Sequence, residues 1–569
     1  MTSTDAALTA AAEVVVAEAA AAAVPEVSYG ILSGGRLAAG QGTDRIYRIA
    51  SMTKSFTAAT VLGLCRGLVP TLGRRPSLDD RLADWLPELS AGEWAAELTV
   101  RDALTMSTGL PKDDPWADRL ESLPSSQMRQ LMKAPALRNF PAGGGFEYAN
   151  YGYAMLGAFV EAVTGRGFAE VVHGTLLAPL GLDSTGFDVR RLPADRLVTG
   201  YRRTTEGELE AQPLSLPGAF SAIGGLASTI DDVAVWVSAL IESATSAEPG
   251  EACRALAGNA LADSEDDARA WRRVLADLQQ AQRHVSIQHA PDHAVSLGYG
   301  YGLRCYFDTR YGHTVGHSGG YPGFGLHMRW HAATGTGVIV LANLTDFPAE
   351  AVATRALNTD LAQLRAADPS ASRWPQPEPI SPTPAQKAAG TSGTDAAGTS
   401  GAEATTTSGT DAATSSGAEA TTASGTAPAG GRPVAYAVDA LAAFAPSDLA
   451  RTRQRQAEAM IASGDDAEAA EIFSANMDLD IPRAERLAAW ARIREHLGTP
   501  APDGAAAEVA WLTALSARWE VWTADESAPR RGRRVEMMLN PAGEIQKLSV
   551  TALPDGRAGG PGAAVKPEG

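Results

Sequence analysis

The sequence predicts an α+β fold in which an antiparallel sheet is flanked by helices and carries a helical subdomain. Apolar residues alternate near the N-terminus and again between residues 298 and 344, whereas the region between them has helical spacing. A sheet built from both ends of one domain satisfies this order with few chain crossings. At 569 residues the chain exceeds a single hydrophobic core, and a small α+β module is expected at its C-terminal end.

Four segments are expected along the chain. They are a large domain at 1–366, a disordered linker at 367–432, the small α+β module at 433–555 and a disordered tail at 556–569. Between Gly390 and Ala427 no apolar side chain is larger than alanine, so the linker cannot bury a core that offsets its ordering entropy. We expect it to act as a flexible tether that separates the two cores.

The N-terminal residues and the charge of the chain bear on location and partners. Residues 1–24 are alanine-rich, with three acidic residues and no basic one, which favours a helix over a secretory signal and predicts a cytoplasmic protein. No uncharged apolar run reaches the length of a membrane span. The formal charge of −18 disfavours nucleic acid or an anionic membrane as partner. A small-molecule substrate is expected, and the oligomeric state stays open.

A glycine-turn hairpin at residues 27–39 leads into the stretch from Arg48 to Leu64, which is predicted to be a buried helix. Ser51 and Lys54 are three residues apart and therefore share a face of that helix. A serine hydroxyl becomes a strong nucleophile when a base takes its proton, and a lysine kept neutral by burial can help to do so. The helix start also provides N–H groups for an oxyanion. Because Ser-x-x-Lys also occurs by chance, its weight depends on the remaining motifs.

A second motif, Tyr148-Ala-Asn150, follows the glycine loop at residues 141–145 and precedes a predicted helix. There a phenol and an amide can project into a cleft. Taken alone, these two side chains are typical of turns. In the joint pattern Tyr148 can share the serine proton with the lysine, and Asn150 can orient a substrate amide or the lysine.

The C-terminal part of the large domain carries the third motif. Runs typical of strands are predicted at 299–307, 313–317, 323–330 and 336–344, and a helix at 348–364 follows them, whereas residues 252–285 are predicted to be helical. The motif runs from His317 through Ser318 and Gly319 to Gly320. Two glycines without side chains let a substrate backbone approach closely, and the N–H groups of Ser51 and Gly320 can hold an oxyanion. The three motifs together predict an acyl-transfer site that needs neither a metal nor a cofactor.

The motifs Ser51-Met-Thr-Lys54, Tyr148-Ala-Asn150 and His317-Ser-Gly319 resemble those of the serine β-lactamase and penicillin-binding protein superfamily. The resemblance covers residues 27–364 and is closest to the class C branch with its esterase and D-aminopeptidase relatives. It implies the β-lactamase/transpeptidase-like fold, with Ser51 as the acylated nucleophile, Lys54 as its base and Tyr148 as the proton shuttle. Substrate-binding roles are implied for Asn150, His317, Ser318, Gly319 and Gly320. The module from about residue 447 is similar to small NTF2-like domains.

The third motif begins with histidine where β-lactamases and transpeptidases typically have lysine. Histidine is mostly neutral at pH 7, so a fixed cation for a substrate carboxylate is missing at this position. We therefore expect a β-lactamase-related esterase or amide hydrolase. The alternatives are a D-amino-acid peptidase, a D-alanyl-D-alanine carboxypeptidase or a β-lactamase. A catalytically silent ligand-binding protein is the alternative from outside the enzymes.

Overall fold

The computed structural model describes the chain in several stretches: residues 3–112, 120–204, 207–258, 265–369, 374, 446–464, 469–474, 477, 481, 483–497, 509–522 and 530–556. The predicted linker and tail lie outside the described residues, apart from residues 367–369, Trp374 and Gly556. The predicted segment boundaries therefore stay predictions.

The helices of the large domain are α1 (Ser3–Ala21), α2 (Thr53–Arg66), α3 (Val100–Leu104), α4 (Ser125–Lys133), α5 (Asn150–Thr164), α6 (Phe168–Val172), α7 (Ser221–Gly224), α8 (Ile230–Thr245), α9 (Glu251–Ala257), α10 (Glu265–Leu278) and α11 (Ala349–Ala367). Its strands are β1 (Val27–Ser33), β2 (Arg36–Gln41), β3 (Tyr47–Arg48), β4 (Gly200–Arg203), β5 (Leu209–Gln212), β6 (Ala227–Ser228), β7 (Arg283–His289), β8 (Ala294–Tyr299), β9 (Arg304–Asp308), β10 (Gly312–Tyr321), β11 (Phe324–His331) and β12 (Thr336–Ala342). None of the described helices is long and apolar enough to cross a membrane.

Eight of these strands form one antiparallel sheet in the order β2-β1-β12-β11-β10-β9-β8-β7. The N-terminal hairpin pairs with the last strand of the domain, so the sheet is built from both ends of the domain. The predicted α+β fold with an antiparallel sheet is confirmed.

Two details of the strand prediction are wrong. Residues 283–285 were expected to be helical but begin β7, and β7 and β8 form a hairpin at the edge of the sheet. The run 299–307 was expected to be one strand, but it is broken by a turn at 300–303. At that turn Gly302 has a φ of +73°, and a side chain there would collide with the Lys54 carbonyl. Close packing of this turn on α2 therefore explains the break.

Helices cover both faces of the sheet. On one face α1 and α11 pack together, with Val15 and Leu357 buried against strand residues such as Ile31 and Val340. On the other face the buried core includes residues of α2, α8 and α10, such as Phe56, Trp236 and Trp271. All residues of α2 from Thr53 to Leu64 are buried. The helix that carries Lys54 is therefore a central element of this core.

The C-terminal module is a four-stranded antiparallel sheet with helices packed on it. Its helices are α12 (Asp448–Ser463), α13 (Ala469–Ile472) and α14 (Arg483–Leu497), and its strands are β13 (Ala510–Thr513), β14 (Ser516–Trp522), β15 (Arg530–Leu539) and β16 (Ile545–Gly556). The Ser447 hydroxyl accepts a hydrogen bond from the Ala450 N–H, as a helix N-cap does. Met460, Trp519 and Val535 belong to its core.

The module also contacts the large domain. The Leu137 N–H donates to the Pro541 carbonyl at 2.9 Å, and the Leu137 side chain packs against the core of the module. The Gln546 side-chain amide donates to the Lys112 carbonyl. The expectation that a tether separates the two cores is therefore wrong, because the two parts share a packed contact.

Candidate active site

Ser51 lies in a single 3₁₀ turn, Ala50–Met52, between β3 and α2. Its neighbours Ala50 and Met52 are fully buried, whereas Ser51 itself is half-buried. Ala50 has a φ of +46°, in the left-handed region that a residue with a side chain rarely adopts. Such strain persists only where surrounding contacts impose it. The half-buried Ser51 is thus held between two buried neighbours at the start of α2.

Lys54 lies next to Ser51 at the start of α2, as the spacing of three residues between them predicts. Its Nζ is 2.9 Å from the Ser51 Oγ and donates to the Ile223 carbonyl at 2.6 Å. The lysine is fully buried. Because a buried amine needs partners for its protons, the Ile223 carbonyl and the serine together fix its position.

The segment of α7 and the residues after it, which carries the Ile223 carbonyl, is tied to α2 by two threonines. The Leu226 N–H donates to the Thr53 hydroxyl at 3.2 Å, and the Thr57 hydroxyl donates to the Ala222 carbonyl at 2.8 Å. These bonds explain why a buried helix contains so many small polar residues. They hold the lysine and its carbonyl acceptor in one rigid unit.

Tyr148 lies beside this unit. The Lys54 Nζ is 5.2 Å from the centre of the Tyr148 ring, and the rings of His317 and Tyr299 are 6.0 and 6.2 Å from it. The preceding residue is fixed because the Glu147 N–H donates to the Met106 carbonyl at 2.9 Å. The structure therefore brings the predicted serine, lysine and tyrosine to one place.

Asn150 begins α5 and is buried. Among the described residues no hydrogen-bond partner is found for its side-chain oxygen. Leaving a buried acceptor unpaired costs about 1–3 kcal/mol, so such groups are uncommon. An acceptor that is free in the protein is consistent with the predicted role of binding a substrate amide.

His317 is buried next to Arg304 and Lys54. Burial, reinforced by Arg304, Lys54 and the neighbouring His327, lowers the pKa of His317 well below its usual range. Its Nδ1 is 2.7 Å from the Ser318 carbonyl, which requires the proton to be on Nδ1, and its Nε2 is 3.4 Å from the Tyr299 hydroxyl. The ring is therefore neutral and held by its neighbours, as the sequence argument expects at pH 7.

This neutral histidine predicts an acid-dependent stability. In the unfolded chain His317 titrates near its ordinary pKa of about 6.5, so the unfolded state binds more protons below that pH. We expect the contribution of His317 to the free energy of unfolding to be complete above about pH 6.5 and to fall by up to about 1.4 kcal/mol per pH unit below it. Urea unfolding at pH 5, 6 and 7 measures this slope. His317→Asn should reduce it, whereas His289→Asn, at an exposed site, should leave it unchanged; equal slopes in wild type and His317→Asn would contradict the assignment.

The remaining residues of the third motif differ in what surrounds them. The Ser318 hydroxyl donates to Glu350 at 2.8 Å and lies 2.9 Å from the Nδ1 of His327. A side chain at Gly319 would come within 2.5 Å of the Ile49 carbonyl, so this glycine lets β10 pack on the turn before Ser51. At Gly320 a side chain would meet nothing within 4 Å. Open space for a substrate is therefore found at Gly320 and not at Gly319.

The edge of β10 is free at this point. β11 pairs with residues 315–321 of β10, but β9 pairs only with residues 312–316. Within the described sheet, one edge of residues 317–320 thus has no strand partner. An edge without a strand partner can pair with a substrate backbone, although the Ser318 carbonyl is already 2.7 Å from the His317 Nδ1.

The structure adds a buried ion pair that the sequence reasoning missed. Arg48 and Glu121 form a salt bridge, and both side chains are at most 1% exposed. Arg48 also donates to the carbonyls of Gly225 and Ser215, and the Ser221 hydroxyl donates to Glu121 at 3.2 Å. The pair anchors the segment around α7, which supplies the acceptor for the lysine. For Arg48 the available signal was its position, three residues before the serine within a stretch predicted to be buried. No local sequence pattern points to Glu121.

Arg304 was also missed. With Tyr148 and Tyr299 it lines a cavity of about 270 Å³, and its Nη1 is 3.1 Å from Glu350. A guanidinium remains charged at all working pH values. The cavity beside the tyrosine therefore contains a fixed cation, although the histidine motif does not provide one.

Comparisons with known proteins agree with this geometry. The family model described as Beta-lactamase matches residues 11–363. The unguisins hydrolase ungD' of Aspergillus campestris is 26% identical over 210 residues, which are 35% of this chain and 39% of that protein. Penicillin-binding protein 4* of Bacillus subtilis is 25% identical over 161 residues, 27% of this chain and 33% of that protein. The solved structure of an octameric penicillin-binding protein homologue from Pyrococcus abyssi matches with a TM-score of 0.50 and 24% identity, covering 62% of this chain and 77% of that chain.

The chain spans between a third and two fifths of the length of these two curated relatives. The similarity to the solved structure supports the assignment of the fold. The family match, in contrast, begins within α1, ends within α11 and includes all three motifs. With the sheet, the helical insert and the paired serine and lysine in place, the resemblance seen in the motifs is confirmed, and this chain belongs to the beta-lactamase family.

Proposed function

We propose that this chain is a serine hydrolase that acts on a small ester or amide through an acyl-enzyme on Ser51. The observation that carries the proposal is the 2.9 Å separation of the Lys54 Nζ and the Ser51 Oγ in a buried turn. A nucleophile within hydrogen-bond reach of a positioned base is the arrangement that covalent catalysis by serine requires.

The proposed reaction has two halves. The Ser51 Oγ attacks the substrate carbonyl carbon while its proton passes to Lys54, with Tyr148 as the shuttle. The bond to the leaving group then breaks, and the leaving group takes that proton. Water attacks the acyl-enzyme by the reverse route and releases the acid. The N–H groups of Ser51 and Gly320 stabilise the oxyanion in both halves, an effect typically worth about 3–4 kcal/mol for one donor.

A neutral acyl group is the substrate feature that we favour. His317 is neutral and held by its neighbours, so it offers no cation to a carboxylate. The Ser318 hydroxyl donates to Glu350 and is therefore engaged within the protein. The free oxygen of Asn150 suits a substrate N–H. These features support an ester or amide without a carboxylate near the reacting carbonyl.

One observation favours a second candidate. Arg304 lines the cavity beside Tyr148 and could pair with a carboxylate, as a β-lactamase or a D-alanyl-D-alanine carboxypeptidase would require. The D-amino-acid peptidase alternative needs an acceptor for a substrate amine, and Glu350, 3.1 Å from Arg304, is the nearby acid. A protein that binds ligands without turnover is the alternative outside the enzymes.

A substrate panel tests the proposal. Wild type and Ser51→Ala are assayed with p-nitrophenyl acetate, nitrocefin and D-alanine p-nitroanilide, which are neutral, carboxylate-bearing and amine-bearing. We expect turnover of the acetate ester by wild type and its loss in Ser51→Ala. Preference for nitrocefin or the anilide would select the corresponding alternative. Equal rates in wild type and Ser51→Ala for all three compounds would contradict the proposal.

A further inference from the structure

The C-terminal module touches the large domain close to the candidate active site. Pro541, in the turn before β16, contacts Leu137 of the large domain, and Gln546, within β16, contacts Lys112. Lys112 also lines the cavity that contains Tyr148 and Arg304. Lys112 therefore belongs both to the contact and to the wall of the cavity beside Tyr148.

Both contacted residues belong to segments that are bonded to the tyrosine loop. The Lys112 N–H donates to the Glu147 carboxylate at 2.9 Å, and Glu147 directly precedes Tyr148. Two residues after Leu137, the Asn139 N–H donates to the Gly109 carbonyl at 2.7 Å. Residues 109–112 and 137–148 thus form one bonded unit, and the module holds this unit at two points.

The turn of the module is shaped for this contact. The Asn540 side-chain oxygen accepts from the N–H groups of Ala542 and Glu544, which closes the turn. Gly543 has a φ of +79°, and a side chain there would collide with Leu449 and touch Leu137. The half-buried Leu137 side chain packs against the core of the module, although the chain places it in the large domain. This apolar contact helps to hold the two hydrogen bonds in place.

We infer that the C-terminal module is a positioning element of the active site, which holds the loop of Tyr148 through Gln546 and Leu137. The inference rests on the proposed function, in which the Tyr148 phenol moves the serine proton. Neither Gln546 nor Leu137 touches the reacting atoms, so both are positioning residues. Releasing the loop moves the phenol away from the serine while leaving Ser51 and Lys54 in place. The chemical step slows, and binding of a small ester changes little.

The test uses point variants of the full chain. Gln546→Ala removes the side-chain donor to the carbonyls of Lys112 and Leu539, and Leu137→Ala removes the side chain that packs against the module. Lys547→Ala is the matched control, because Lys547 follows Gln546 in β16 and is exposed. The readouts are kcat and KM for p-nitrophenyl acetate and hydrogen–deuterium exchange of residues 104–112 and 137–148.

We expect Gln546→Ala and Leu137→Ala each to lower kcat about five- to tenfold, with KM within about twofold of wild type, and to raise exchange in the two segments. Lys547→Ala should match wild type in all three readouts. If Leu137→Ala fails to fold, Gln546→Ala decides the question, since it shortens one side chain, whose amide donates to the carbonyls of Lys112 and Leu539. A kcat within about twofold of wild type in Gln546→Ala, with unchanged exchange, would overturn the inference.

The exchange measurement separates this inference from the proposed function. If wild type does not hydrolyse the ester and Ser51 is not acylated, the proposed function fails, and the role of the module in that function fails with it. Raised exchange in Gln546→Ala would then still establish the contact. If wild type is active and the variants are unchanged, the proposed function stands and the positioning role is rejected.

Discussion

We expect Lys54→Ala to lower the rate of acylation of Ser51 by about 10²-fold or more. The amine lies 2.9 Å from the serine hydroxyl and is the group placed to take its proton. Without it the hydroxyl must attack while still protonated, which makes it a weak nucleophile. The helix itself should persist, because alanine has a high helix propensity.

Pre-steady-state release of p-nitrophenol from the acetate ester measures this rate directly. Lys133→Ala is the matched control, because Lys133 is an exposed lysine at the end of α4, and it should acylate like wild type. Tyr148→Phe removes only the hydroxyl and should also slow acylation by about 10²-fold. Near wild-type rates in both Lys54→Ala and Tyr148→Phe would show that neither side chain moves the proton.

The second large effect is expected from the buried ion pair. Glu121→Gln should lower the free energy of unfolding by about 3 kcal/mol or more, because it leaves the Arg48 guanidinium buried without its countercharge. Gln keeps the size of Glu and an oxygen acceptor, so the charge is the main change. The segment around α7, with the Ile223 carbonyl, is anchored by this pair and should loosen, which lowers the acylation rate as well.

Denaturant unfolding of the full chain measures the stability. The matched control is Asp188→Asn, which breaks the pair of Asp188 with the largely exposed Arg190 and should cost less than about 1 kcal/mol. A loss in Glu121→Gln no larger than that of the control would mean that the buried pair does not stabilise the fold.

The parts of the site that follow from local spacing could be predicted from the sequence. Ser51 and Lys54 are three residues apart, and one turn of helix is enough to bring them together. Tyr148 and His317 were found because their motifs carry recognisable neighbours. The hairpin at residues 27–39 and the two-ended sheet followed from alternation and glycine turns, and both are present in the fold.

Contacts between distant parts of the chain could not be predicted in this way. Glu121 is 73 residues from Arg48, and Ile223 is 169 residues from Lys54. No local pattern encodes such partners. The contact of Gln546 with Lys112 joins residues that are 434 positions apart, on either side of the linker. The low-complexity composition of the linker predicted that the large domain and the module are separate, whereas their described residues are in contact.

The two glycines of the third motif show another limit of prediction from sequence. The sequence argument gave both glycines the same role of admitting a substrate. The structure separates them, because the Ile49 carbonyl occupies the space beside Gly319 and only Gly320 faces open space. The absence of a side chain is visible in a sequence, but whether protein or ligand fills the gap depends on the tertiary packing.

Covalent labelling of Ser51 tests the central claim most directly. The full-length protein is treated with a fluorophosphonate probe, digested and mapped by mass spectrometry, with Ser51→Ala treated in parallel. We expect the probe on the peptide that contains Ser51 in wild type, and no label on that peptide in Ser51→Ala. Absence of label on Ser51 in folded wild type, or equal labelling of both proteins, would contradict the account.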